Sequence, residues 1–126
     1  ISEDETKIAI GLLKTGKAAG LNGISPEMLK SGGNTIVHAL TSLMNACWRT
    51  STVPGEWRQG VIIRLPKKGD LTRCDNWRGI TLLSVPGKVF CIVLLRRLQQ
   101  SIDNQLREQQ AGFRQGRSCN EQIFVL

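Results

Sequence analysis

The stretch KKGDLTRCDNWRGITLL, residues 67–83, decides the fold. An apolar run, Val61-Ile62-Ile63-Arg64-Leu65, leads into two lysines and a Gly-Asp turn. The chain returns through Asn76-Trp77-Arg78 into a second apolar run, Gly79–Leu83. β-branched residues bounded by turn formers predict two antiparallel strands and a hairpin. Such a hairpin brings Lys67, Lys68 and Arg78 to one tip, with Asp70 and Asp75 as the only carboxylates nearby. Clustered cations on a tight turn suit polyphosphate, lysine as a point charge and arginine as a planar fork of donors. A solvated turn, where polar residues simply collect, is the commoner explanation of such residues taken alone.

Outside the hairpin the pattern is helical. Ser2 followed by Glu5 is a capping-box pair, and Ile8, Leu12 and Leu13 are expected to line one face of a helix ending near Gly16. Ser25-Pro26-Glu27 starts a short helix that Gly32-Gly33 stops. Ile36, Leu40, Leu43, Met44, Cys47 and Trp48 recur at three- and four-residue steps and predict a helix over 35–50. Pro54-Gly55 breaks the chain before the first strand. Ser84 caps a further helix, with Pro86 in its first turn and Phe90, Val93, Leu94, Leu98 and Ile102 along one stripe. Ser118 or Asn120 opens a last helical segment. The expected class is α+β, mostly helical, with one antiparallel hairpin.

Composition limits the function. The 126 residues suffice for one modest domain, and 40% hydrophobic with 21% charged residues is a globular composition. The net charge is +7, and residues 67–126 hold five of those seven excess charges, which favours an anionic partner there. Four cysteines at 47, 74, 91 and 119 lack C-x-x-C spacing, and His38 is the lone histidine, so no metal site is expected. Cys47 and Cys91 fall in apolar helical patterns and read as small core residues. No secretory signal or membrane span is evident, which makes reducing, intracellular conditions the default. The chain starts at Ile1 and stops inside the apolar run Ile123–Leu126, as a piece of something longer would.

Two other segments carry possible chemistry. Gly11 to Lys17 follows the phosphate-loop spacing, but Ala18 lacks the hydroxyl that magnesium requires, and helix rather than strand precedes it. The segment Lys14–Gly23 still combines lysines with glycines that either admit a ligand to the backbone or merely end a helix. Gln109–Arg117 joins Phe113 to Arg114, Arg117 and amide side chains. That set suits phosphate and base contacts, or else a core phenylalanine with solvated arginines. No pair of adjacent aspartates exists, tyrosine is absent, and His38 has no companion for nucleophilic catalysis, so no catalytic residue is expected.

Taken in order, GKAAGLNGISPEML, WRQGVIIRLPKKGDLTRCDNWRGITLLSVPGKVF and REQQAGFRQGRSCNEQIFVL resemble the N-terminal conserved blocks of reverse transcriptases from non-LTR retrotransposons, the LINE-type elements, and among them the jockey-like branch. The resemblance spans nearly the whole chain. It implies that residues 1–126 are one partial domain, the fingers and the start of the palm of a right-hand RNA-directed DNA polymerase. Arg78 first, and Lys67 or Lys68 second, would contact the triphosphate of the incoming deoxynucleotide. Lys17, Gln110, Phe113, Arg114 and Arg117 would contact template and primer. The implied partners are an RNA template, a DNA primer, deoxynucleotide triphosphates and the remainder of the enzyme, in cytoplasm and nucleus and with no membrane. The family's catalytic aspartates would lie C-terminal to these blocks, so magnesium would act only in the full-length enzyme. Asn22 stands where the family commonly has aspartate, which puts any ion pair there in doubt. A non-catalytic nucleic-acid-binding remnant and a decayed element copy are the alternatives.

Overall fold

The computed structural model describes residues 1–107 together with Gln110 and Gly116. Its elements are α1 (Glu3–Gly11), α2 (Pro26–Ser31), α3 (Gly33–Thr50), β1 (Val61–Pro66), β2 (Trp77–Leu82) and α4 (Val85–Ile102), with three short 3-10 turns at Gly55–Arg58, Cys74–Asn76 and Asp103–Gln105. The mixed class with one two-stranded antiparallel sheet agrees with the sequence expectation. Two compact units are present, Ile1–Val93 and Leu94–Leu126.

The starts of α1 and α2 follow from local chemistry, whereas α3 begins at Gly33 with no side-chain cap. Ser2 Oγ accepts the Glu5 N–H at 3.1 Å, and the Glu5 carboxylate accepts the Ser2 N–H at 2.8 Å, a complete capping box. Three acidic residues, Glu3, Asp4 and Glu5, also meet the positive end of the α1 dipole. Ser25 Oγ accepts the Met28 N–H at 3.3 Å and Pro26 supplies the preset first-turn φ of α2. In the first unit α1 and α2 both pack on α3. The interior consists of Ala9, Ile10 and Leu13, Leu29, Val37, Leu40, Met44 and Cys47, with Val85, Val89, Phe90 and Val93 of α4 also buried.

Between α1 and α3 the core is sealed by a buried hydroxyl pair. Thr6 Oγ1 and Thr41 Oγ1 are 2.7 Å apart, with the Ser2 carbonyl at 3.0 Å from the first and the Val37 carbonyl at 2.8 Å from the second. Thr6→Val should cost about 1–3 kcal/mol, because it strips Thr41 of a buried partner. Thr6→Val combined with Thr41→Val should cost less than the two singles added together. Chemical denaturation of the four proteins checks this cycle.

Several sequence expectations fail. The buried face of α1 is Thr6, Ala9 and Ile10 with Leu13 just beyond, whereas Ile8 and Leu12 are exposed. The helix ends at Gly11, and the small residues Thr6 and Ala9 are its fully buried positions, with Thr6 meeting Thr41 of α3. On α3 the buried residues are Val37, Leu40, Thr41, Met44 and Cys47, so Leu43 and Trp48 lie off the buried stripe. Cys91 is exposed, because Val89, Phe90 and Val93 form the buried side of α4 and position 91 points away from it. Leu98 and Ile102 are exposed as well, although they continue the apolar spacing.

Candidate nucleotide and nucleic-acid site

The hairpin is paired in regular antiparallel register from Val61↔Leu82 to Pro66↔Trp77. Its base is clamped on both sides. Before β1, the Trp57 ring packs against Phe90 with centroids 5.8 Å apart, and it covers Gly87, where an added Cβ would lie 3.1 Å from the indole. After β2, Ser84 caps α4: its Oγ accepts the Gly87 N–H at 3.4 Å and its carbonyl accepts the Lys88 N–H at 3.0 Å.

The tip is built by its own polar groups. Lys67 N–H donates to the Asn76 carbonyl at 2.7 Å, which extends the ladder one pair past the strands. Gly69 takes φ +118°, a conformation that side chains disfavour, and so turns the chain. Asp70 accepts from the Thr72 N–H at 2.9 Å and the Thr72 hydroxyl at 2.7 Å. Asn76 Nδ2 donates to the Asp70 carbonyl at 2.6 Å, and Trp77 Nε1 donates to the Leu71 carbonyl at 3.0 Å. The two bonds from Thr72 hold the Asp70 carboxyl below its ordinary pKa. This contribution to the turn is complete above the ordinary carboxylate range and is lost only as pH falls through the lowered value.

These bonds divide the cations. The Lys67 ammonium donates to the Asp75 carbonyl at 3.0 Å, so it braces the turn. Arg73 pairs loosely with Asp75 at 3.5 Å, an exposed pair of little energetic weight. The Asp70 carboxylate is thereby held within the turn, whereas the Asp75 carboxylate makes only this loose contact. The side chains of Lys68 and Arg78 are exposed and make no hydrogen bond or ion pair among the described residues. Arg78 lies opposite Leu65, on the face shared with Ile63 and Ile80. The structure thus brings Lys67, Lys68 and Arg78 to one end of the hairpin, with Lys67 already occupied.

Lys17 sits elsewhere, exposed on the loop between α1 and α2. That loop is fastened at three points. Gly16 N–H donates to Glu27 Oε1 at 2.6 Å, and this bond is the largest cause of the lowered Glu27 pKa. Asn22 Nδ2 donates to Ser84 Oγ at 3.0 Å, while its Oδ1 accepts the Ile24 N–H at 3.3 Å. Gly20 rests on the backbone after β2, where a Cβ would stand 2.7 Å from the Leu83 carbonyl carbon and oxygen. Asn22 is therefore a neutral link between the loop and the cap of α4, and no ion pair is needed to hold it. Sequence reasoning missed this link, since nothing in the spacing of Asn22 and Ser84 announces it.

Gln110 donates its N–H to the Arg107 carbonyl at 3.0 Å. Phe113, Arg114, Arg117 and the final segment from Ser118 or Asn120 lie outside the described residues. Arg64 was also missed: its guanidinium sits 5.8 Å from the centre of the Trp77 ring. Among the described residues no three His, Cys, Asp or Glu side chains gather into a metal site, and no helix is long and apolar enough to cross a membrane. His38 is exposed and bonds Glu3 at 2.7 Å. Cys47, Cys74 and Cys91 are free thiols.

The chain is similar to proteins of mobile elements. The chain is 34% identical over 119 residues, 93% of its length, to a putative 115 kDa protein in the type-1 retrotransposable element R1DM of Drosophila melanogaster. It is 27% identical over its whole length to an uncharacterized 149 kDa protein of transposon TX1 from Xenopus laevis. It is also 29% identical over its whole length to a probable RNA-directed DNA polymerase from transposon BS of Drosophila melanogaster. The chain spans 12%, 10% and 14% of those three relatives respectively. No family model matches it.

Proposed function

Because the chain's curated homologues are non-LTR retrotransposon proteins, one of them named for RNA-directed DNA polymerase, we propose that it is the fingers and first part of the palm of such a polymerase. In this reading the hairpin tip handles the triphosphate of the incoming deoxynucleotide, while Lys17, Gln110, Phe113, Arg114 and Arg117 meet RNA template and DNA primer. One observation carries the assignment to the tip. Asp70 is bonded inside the turn and the Asp75 carboxylate meets Arg73, which leaves the Lys68 and Arg78 side chains exposed and without an ion-pair partner among the described residues. Arg78 supplies the planar fork and Lys68 the point charge, and Lys67 holds the turn that presents them.

The described residues do not fit a pair of magnesium ions, since no acidic cluster is present among them. Magnesium and the aspartates that bind it enter this reading with another segment of the parent polymerase. The work of the present residues is to bind and orient, which can account for a large share of phosphoryl-transfer catalysis.

Tripolyphosphate and labelled single strands, titrated at two salt concentrations, test the reading. Both should bind, and affinity for the strands should fall steeply with salt as counterions are released. Arg78→Gln and Lys68→Gln should each weaken tripolyphosphate binding about tenfold. Tripolyphosphate affinity unchanged in both variants would refute the assignment of the tip.

A further inference from the structure

We propose that the face of the hairpin opposite Arg78 is a stacking surface for single-stranded nucleic acid, centred on Arg64 and Trp77. The proposal rests on the polymerase reading for the class of its partner. Strand register puts Pro66 and Trp77, Arg64 and Gly79, and Ile62 and Thr81 together on this face. Arg64 lies over the Trp77 ring, and the indole is fixed from its edge by the bond from Nε1 to the Leu71 carbonyl. A cation on an immobilised aromatic ring is an extended planar platform, and ordering it on binding costs little entropy.

Next to that platform Gly79 leaves a step. An added Cβ would stand 3.3 Å from Ile62 Cγ2, so the Ile62 side chain leans over Gly79 and carries apolar surface toward Arg64. Ile62 is 70% exposed and adds apolar surface beside the platform. Charge favours a polyanion as that cover. The two strands carry Arg64 and Arg78 and no acidic residue, and Arg64 has no carboxylate partner among the described residues. Bases offer π-faces to the ring and the guanidinium, and the phosphates between them meet the arginine charge. The hairpin then has two working faces: Arg78 for triphosphate, Arg64 and Trp77 for a strand.

The test compares the intact chain with Arg64→Gln, Arg64→Lys and Arg78→Gln on three probes: oligothymidylate of about twelve nucleotides, an abasic oligomer of equal length, and tripolyphosphate. The wild type should prefer thymidylate to the abasic strand by about fivefold or more. Arg64→Gln should remove most of that preference and lower the salt slope by about one, while tripolyphosphate affinity stays within about twofold. Arg64→Lys should restore the salt slope but not the preference for bases. Equal loss on thymidylate and abasic strands in Arg64→Gln would show a simple phosphate contact and overturn the stacking surface. Strand affinity unchanged in that variant would overturn it as well. The polymerase reading fails separately, through tripolyphosphate and Arg78→Gln, so the two failures are distinct.

Discussion

Gly20→Val is expected to destabilise the Ile1–Val93 unit by about 3 kcal/mol or more, beyond the ordinary range for an inserted side chain. The reason lies in what the new Cβ would meet. Its nearest neighbours are the Leu83 carbonyl carbon and oxygen at 2.7 Å and the Ser84 nitrogen at 2.8 Å, all backbone, and a backbone cannot step aside as a side chain does. To relieve the clash, the loop must lift away from the junction of β2 and α4. Lifting it breaks the bond from Asn22 to Ser84 and exposes a cap that also serves α4. Gly11→Ala is the control. It closes α1, meets nothing within 4 Å, and should be neutral or stabilising by up to about 1 kcal/mol. Urea denaturation of the three proteins decides the matter. Equal stability of Gly20→Val and Gly11→Ala would mean that the loop is not seated on the junction.

That contrast shows where sequence reading stops. Most elements were legible because they are announced locally: Ser2 with Glu5, Ser25 before Pro26, Ser84 before Pro86, and β-branched runs on both sides of Gly69-Asp70, while α3 shows only its apolar spacing. Burial was less legible. Periodicity identifies an apolar stripe but does not say which side of it a neighbour covers, so Ile8, Leu12 and Cys91 were placed inward and stand outward. For the site, the sequence located the cationic tip but could not rank its members. The bond from Lys67 to the Asp75 carbonyl depends on the exact turn, and with it the distinction between a bracing lysine and an available one. The same limit hid Arg64, which on paper is one more strand residue and in space lies over Trp77. Gly20 looked like any loop glycine, and the contact that forbids a side chain there is more than sixty positions away in the chain.

The largest functional effect is expected from Arg78→Lys in a longer polymerase that contains this segment together with its metal-binding palm. Lysine retains the charge but replaces five donors in a fixed plane with a rotating ammonium. If Arg78 grips the triphosphate through two parallel bonds, losing one of them is worth about 1.5–3 kcal/mol, or roughly ten- to hundredfold in the KM for deoxynucleotide. Template-primer affinity, spread over many phosphate contacts, should stay within about twofold. Arg96→Lys makes the matched comparison: Arg96 is exposed on α4, away from the hairpin in sequence, and its replacement should leave both quantities nearly unchanged. Steady-state primer extension as a function of nucleotide concentration separates the cases. A rise in KM confined to Arg78→Lys ties the guanidinium geometry to the substrate. Matching behaviour of the two variants would reduce Arg78 to general surface charge, and the turn that Asp70, Asn76 and Lys67 hold in shape would then have no triphosphate to present it to.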